Sequence, residues 1–103
     1  MNRYIQIVHS RAFSGREAEY RDWYVATHIP EVLTVDGVAS AKFFGSTSTA
    51  DCTNADFLCV YELKTDDLRA TRLAMAVASG DMTPSSAMDV AETHVELFEP
   101  VTA

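Results

Sequence analysis

The sequence predicts an α+β domain whose elements follow one another as β-α-β-β-α-(α)-β. Three observations carry that prediction. Residues 3–10 and 57–63 are rich in β-branched and aromatic types and set alternate side chains on opposite faces, as strands do. Residues 15–28 and 65–79 carry apolar side chains at helical spacing behind capping residues. The chain has 103 residues, enough for one core and too few for two domains, so residues 1–103 read as a single domain.

The first strand, residues 3–10, places Ile5, Ile7 and His9 on one face and Tyr4, Gln6 and Val8 on the other. Both faces carry apolar groups, so both need a cover. Ser14 and Glu17 stand at capping-box spacing and predict a helix from about residue 15 to 28. Its stripe is Tyr20, Tyr24 and His28, with Trp23 and Thr27 one step round. Pro30 predicts a break there, because it disfavours helical backbone at Ile29. A short turn over residues 31–35 and a stop at Asp36-Gly37 follow.

Residues 38–44 read as the second strand, with Val38, Ser40, Lys42 and Phe44 on one face. Residues 45–56 are small and polar apart from Cys52 and read as a long loop. In the third strand Phe57, Cys59, Tyr61 and Leu63 share a face. Thr65-Asp66-Asp67 caps a helix to about residue 79. Thr83-Pro84 predicts one more short helix to about residue 91, and residues 93–101 form the last strand. Crossover helices after strands one and three make split βαβ units, a ferredoxin-like arrangement with a four-stranded antiparallel sheet. Two helices cover one face of such a sheet. A second copy, packed sheet to sheet, is the economical cover for the other, so a homodimer is expected.

Charge narrows the partners. Fifteen Asp and Glu against eight Lys and Arg give a net charge of −7, which supplies no basic footprint for nucleic acid and disfavours anionic membrane surfaces. No apolar run approaches the length of a membrane span. Residues 1–5 lack the apolar segment of a signal peptide, so the expected location is cytoplasmic and Cys52 and Cys59 are expected to be reduced.

The runs over residues 4–11, 15–24, 27–33 and 35–43 resemble the EthD-like members of the dimeric α+β barrel superfamily. The specific part is Trp23-Tyr24, then His28-Ile29-Pro30-Glu31-Val32-Leu33, then Gly37-Val38. The resemblance covers the first half of the chain, and the second half matches in element order only. It implies a ferredoxin-like protomer and a homodimer with an eight-stranded barrel between the two sheets. Activities in that superfamily are scattered over isomerases, polyketide cyclases, monooxygenases and haem enzymes, so the fold does not settle the reaction. In several cofactor-free members a pocket between helix and sheet holds a small cyclic or polyketide acid, with His and Tyr handling protons. A His at the end of the first helix, the place of His28, is shared with the methylmuconolactone-isomerase group.

The candidate catalytic residues are His28, Tyr61 and His9; the candidate substrate-binding residues are Trp23, Tyr24 and Lys42. His28 has the one side-chain type that titrates near neutrality unperturbed, so it is either a general acid or base or a cation capping the helix C-terminus. Tyr61 can donate to an enolate or carbonyl oxygen from the sheet. His9 is a pocket residue or an interface histidine. Trp23 and Tyr24 are walls for a flat ligand or plain core. Lys42 holds a substrate carboxylate or pairs with Glu62 across strands.

No metal is expected, because the histidines lack ligand spacing. Haem-using relatives need a histidine in the second half, and residues 64–92 contain none. No phosphate-binding loop is present, so no nucleotide cofactor is expected either. Met75, Met82 and Met88 read as flexible packing. The leading expectation is a cofactor-independent enzyme acting on a small cyclic, aromatic or polyketide-like metabolite by His-mediated proton transfer, as an isomerase, cyclase or lyase. The alternatives are a non-catalytic ligand-binding dimer or accessory protein of an oxygenase system, and a cofactor-free monooxygenase.

Overall fold

Four strands form one sheet in the order β2-β3-β1-β4, every neighbouring pair antiparallel. They are β1 (Asn2–Arg11), β2 (Val38–Gly45), β3 (Asp56–Thr65) and β4 (His94–Phe98). The computed structural model describes residues 2–46 and 56–101. β1 and β2 both run against β3 and so are parallel to each other, which makes the helical segment between them a crossover of the split βαβ kind. The expected ferredoxin-like α+β fold is the observed one.

Strand alternation sorts the side chains. Register pairs Gln6 with Tyr61 and Val8 with Cys59, and these residues share the helix-covered face with Tyr4, Ser10, Phe57 and Leu63. Val38 joins them rather than Ser40, Lys42 and Phe44, because an irregularity between Val38 and Ser40 slips the alternation by one residue. Tyr20, Tyr24, Cys59, Tyr61 and Leu63 are the large side chains shut completely from solvent. The second sheet face carries Ile5, Ile7, Leu58 and Val60, half-buried, with Phe44 and Phe98 about half exposed.

The first helical segment departs from expectation at both ends. α1 (Glu17–Trp23) starts with Arg16 at its N-cap and no side-chain cap. Only half of the capping box is built: the Glu17 carboxylate accepts from the Gly15 amide at 2.6 and 3.0 Å, while Ser14 does not cap. Pro30 does not break the helix. α1 continues through a π-helical turn, Tyr24–His28, into α2 (Ile29–Val32), and His28 and Ile29 keep right-handed helical backbone. A proline ring collides with the carbonyl four residues earlier in a regular helix. Here the Ile29 amide bonds to the Tyr24 carbonyl, five residues back, and the wider turn makes room.

α3 (Leu68–Ser79) begins as expected, with the Asp67 carboxylate accepting from the Ala70 amide at 3.0 Å. The short helix expected over residues 83–91 does not form. Its backbone bonds elsewhere: the Phe13 amide donates to Ala87, the Asp89 amide to Arg11, and Arg16 donates to the Ser86 carbonyl. The Glu31 carboxylate receives the Thr83 amide, and Trp23 Nε1 donates to the Thr83 carbonyl at 3.0 Å. Only a 3-10 turn, Val90–Glu92, precedes β4. Most of the expected loop, with Cys52, lies outside the described residues. No described helix is long and apolar enough to cross a membrane.

Candidate functional site

A cavity of about 320 Å³ opens between the helix-covered sheet face and the helices. Val8, Val32, Met75, Met82 and Val95 supply apolar wall. Gln6 and Tyr61 supply polar groups from the sheet, His28 from the π-turn, and Arg72 and Ser79 from α3.

His28 is placed by the π-turn. A turn of five residues brings its ring over Trp23, centroids 4.7 Å apart and planes within 22°, with the Tyr24 ring edge-on at 4.8 Å. Nδ1 is buried with no hydrogen-bond partner, so no described group fixes the tautomer. Burial lowers the imidazole pKa below its ordinary value of 6.5, opposed by the nearby Glu31 charge. The ring is therefore neutral at pH 7.

Tyr61 is held the opposite way. Its hydroxyl lies 3.2 Å from the Tyr24 hydroxyl, beside the buried Cys59 thiol, and burial pushes all three groups up. Both phenols stay protonated at any physiological pH. Tyr24 is itself stacked flat on Phe43 at 4.1 Å, and Tyr20 donates to Ser10 at 2.7 Å inside the core. A neutral imidazole from the helical side and a phenol that keeps its proton from the sheet side thus line one cavity, an acceptor and a donor.

No family model and no curated protein matches the sequence. Solved structures do match in shape. An EthD family protein from Bacillus halodurans superposes with a TM-score of 0.66 at 14% identity, over 95% of this chain and 99% of that one. SnoaB, a cofactor-independent oxygenase from Streptomyces nogalater, gives 0.62 at 12% identity over 100% and 97%. The heme-degrader MhuD from Mycobacterium tuberculosis, with two hemes bound, gives 0.68 at 13% identity over 97% of each chain. The chain shares the α+β ferredoxin-like protomer fold of these structures. At these identities the likeness is one of fold.

Within this fold the six residues singled out from sequence separate. His28 and Tyr61 share the cavity. Trp23 and Tyr24 stand behind the His28 ring and are not on the wall; Tyr24 is 1% exposed, a core residue. His9 and Lys42 point from the opposite sheet face, since alternation in β1 and β2 puts them there. His9 Nε2 lies 2.6 Å from Glu96, and His94 faces it across the strands. Glu62 pairs with Lys64 at 3.7 Å rather than with Lys42, because Ser40 occupies the position opposite it. Met75 and Met82 are cavity wall as well as packing.

Three polar wall residues, Gln6, Arg72 and Ser79, were not among the sequence candidates. Gln6 is the polar member of an otherwise apolar inward row, Tyr4-Gln6-Val8, and that interruption was its signal. Arg72 carried none, since its orientation depends on how α3 docks. Among the described residues, no group of three or more His, Cys, Asp or Glu is placed to hold a metal ion.

Proposed function

We propose that this chain is a cofactor-independent enzyme that moves a proton on a small cyclic or aromatic ligand bound between helices and sheet. The observation that supports it is the one cavity that His28 and Tyr61 both line. Neutral His28 accepts a proton from an enolisable carbon or a phenolic hydroxyl. Tyr61 donates a hydrogen bond to the oxygen on which charge develops. The proton returned to a different carbon gives isomerisation; an enolate attacking within the ligand gives cyclisation.

A second reading begins with the same deprotonation. A ligand carbanion that meets dioxygen instead of the returning proton forms a peroxide, which takes up a proton and loses water to leave one oxygen on the ligand as a carbonyl, and the likeness to a cofactor-independent oxygenase favours this branch equally. Both readings carry the homodimer, with each copy's open sheet face covered by the other, His9 and Lys42 lying in that interface.

The test is deuterium exchange into 2-tetralone, with dissolved oxygen followed in parallel. Wild type is expected to accelerate exchange and the His28→Gln variant to lose most of that acceleration. Equal exchange by a folded His28→Gln variant overturns the assignment of His28. Oxygen consumption that depends on His28 selects the monooxygenase branch.

A further inference from the structure

We infer that Gln6 and Arg72 read the two ends of the ligand: Gln6 a neutral hydroxyl or carbonyl oxygen at the sheet floor, Arg72 an anionic oxygen group on the helix side. This pairing presupposes, as the proton-transfer reading does, that the cavity is where the ligand binds.

Gln6 is only 8% exposed, and no described residue pairs with its carboxamide. Buried amides are almost always hydrogen-bonded, so a group inside the cavity is the natural partner. Register sets Gln6 directly opposite Tyr61, so a carboxamide and a phenol stand side by side on the floor. Both are neutral, and together they offer two donors and an acceptor to one ligand oxygen. A carboxylate placed there would lose its hydration for neutral partners alone.

Arg72 supplies the opposite end. The chain carries fifteen acidic residues against eight basic ones, yet no acidic residue lines this cavity, and Arg72 is its lining cation. The local charge is therefore opposite in sign to that of the molecule. Arg72 is an exposed residue of α3, and its guanidinium, without a described carboxylate partner, is free to meet a carboxylate-type group in fork geometry. Val8, Val32, Met75 and Met82 between the two ends suit a flat hydrocarbon body. The ligand class is an oxygen-substituted ring system bearing an anionic group at its far end.

The experiment compares three probes, 6-hydroxy-2-naphthoate, 2-naphthoate and 2-naphthol, on the full chain at low ionic strength. Wild type is expected to prefer the doubly substituted probe over each of the others by about tenfold, the size of one good hydrogen bond or a partly exposed ion pair. Gln6→Leu has to erase the preference over 2-naphthoate and keep the one over 2-naphthol. Arg72→Gln has to do the reverse. Gln6→Glu, which keeps the shape, has to weaken 6-hydroxy-2-naphthoate as well. Preferences that survive Gln6→Leu or Arg72→Gln overturn the pairing. Met75→Trp, which fills the cavity, separates the two levels: probes that bind wild type and this variant alike lie elsewhere, and the cavity reading falls together with the pairing.

Discussion

The His28 ring lies flat on Trp23, five residues earlier in the chain, at a centroid distance of 4.7 Å. Residues five apart do not stack in a regular α-helix, where neighbours on a face are three or four apart. The contact is made by the π-turn over Tyr24–His28, and it turns the chain's single tryptophan into a reporter of the histidine.

An imidazolium quenches a stacked indole more strongly than neutral imidazole does. Trp23 emission should therefore fall as pH is lowered, with a midpoint below 6.5, because burial disfavours the charged ring. The transition should vanish in His28→Gln. A midpoint at or above 6.5 in wild type contradicts the desolvation that makes His28 a neutral acceptor.

The same shift ties stability to pH. The folded pKa of His28 lies below the unfolded value of 6.5, so the unfolded chain takes up the proton first. Its contribution is complete above pH 6.5 and is lost as pH falls through the folded value. Urea midpoints at about pH 7.5 and about pH 5 should differ more for wild type than for His28→Gln.

Tyr24 and Tyr61 share one buried contact at 3.2 Å but should respond unequally to losing it. Tyr61→Phe leaves the Tyr24 hydroxyl, 1% exposed, with only the Cys59 thiol, a weak partner, and should cost about 1–3 kcal/mol. Tyr24→Phe leaves the Tyr61 hydroxyl facing the cavity, where it can find water, and should cost about 1 kcal/mol or less. Denaturant unfolding of both variants checks the order. Exchange activity should fall mainly in Tyr61→Phe.

Why the strands were legible and the helix junction was not follows from where each signal resides. Alternation in Tyr4–Val8 and Phe57–Leu63 is local, and it already set His9 opposite Gln6. Which face met the helices was not local, so His9 and Lys42 could not be told from pocket residues. Pro30 was read by its usual effect on the preceding residue. The π-turn that absorbs it is held by the packing of Trp23, Tyr24 and His28. Thr83-Pro84 carries a helix-start signal, but Glu31, Trp23 and Arg16 draw that stretch into an extended strap.

Gly37 closes the turn between α2 and β2 with φ at +96°, and its carbonyl accepts from the Lys64 amide at 2.8 Å. A Cβ there would meet Thr71 Cγ2 at 2.8 Å. Gly37→Ala combines a left-handed backbone with a clash, and should cost about 1–3 kcal/mol in denaturant unfolding. A neutral outcome would show that the turn relaxes away from α3.

The open sheet face makes the last prediction. Ile5, Ile7, Leu58 and Val60 line its middle, with Phe44 and Phe98 half exposed, and no described element of the protomer covers them. A stable interface takes about 800 Å² from each partner. At about 25 cal/mol per Å² of its apolar part, such a face returns roughly 10 kcal/mol per protomer before the entropy of association. Sedimentation at micromolar concentration should show twice the protomer mass, and the melting temperature should rise with concentration. Ile7→Glu puts a carboxylate in the middle of that face, within a sheet that already carries Glu62 and Glu96 on the same side. It should dissociate the dimer, lower the melting temperature and remove its concentration dependence. A wild-type chain that sediments as a stable folded monomer would remove the barrel, and with it the interface in which His9 and Lys42 are placed, while leaving the cavity around His28 to stand or fall on its own measurements.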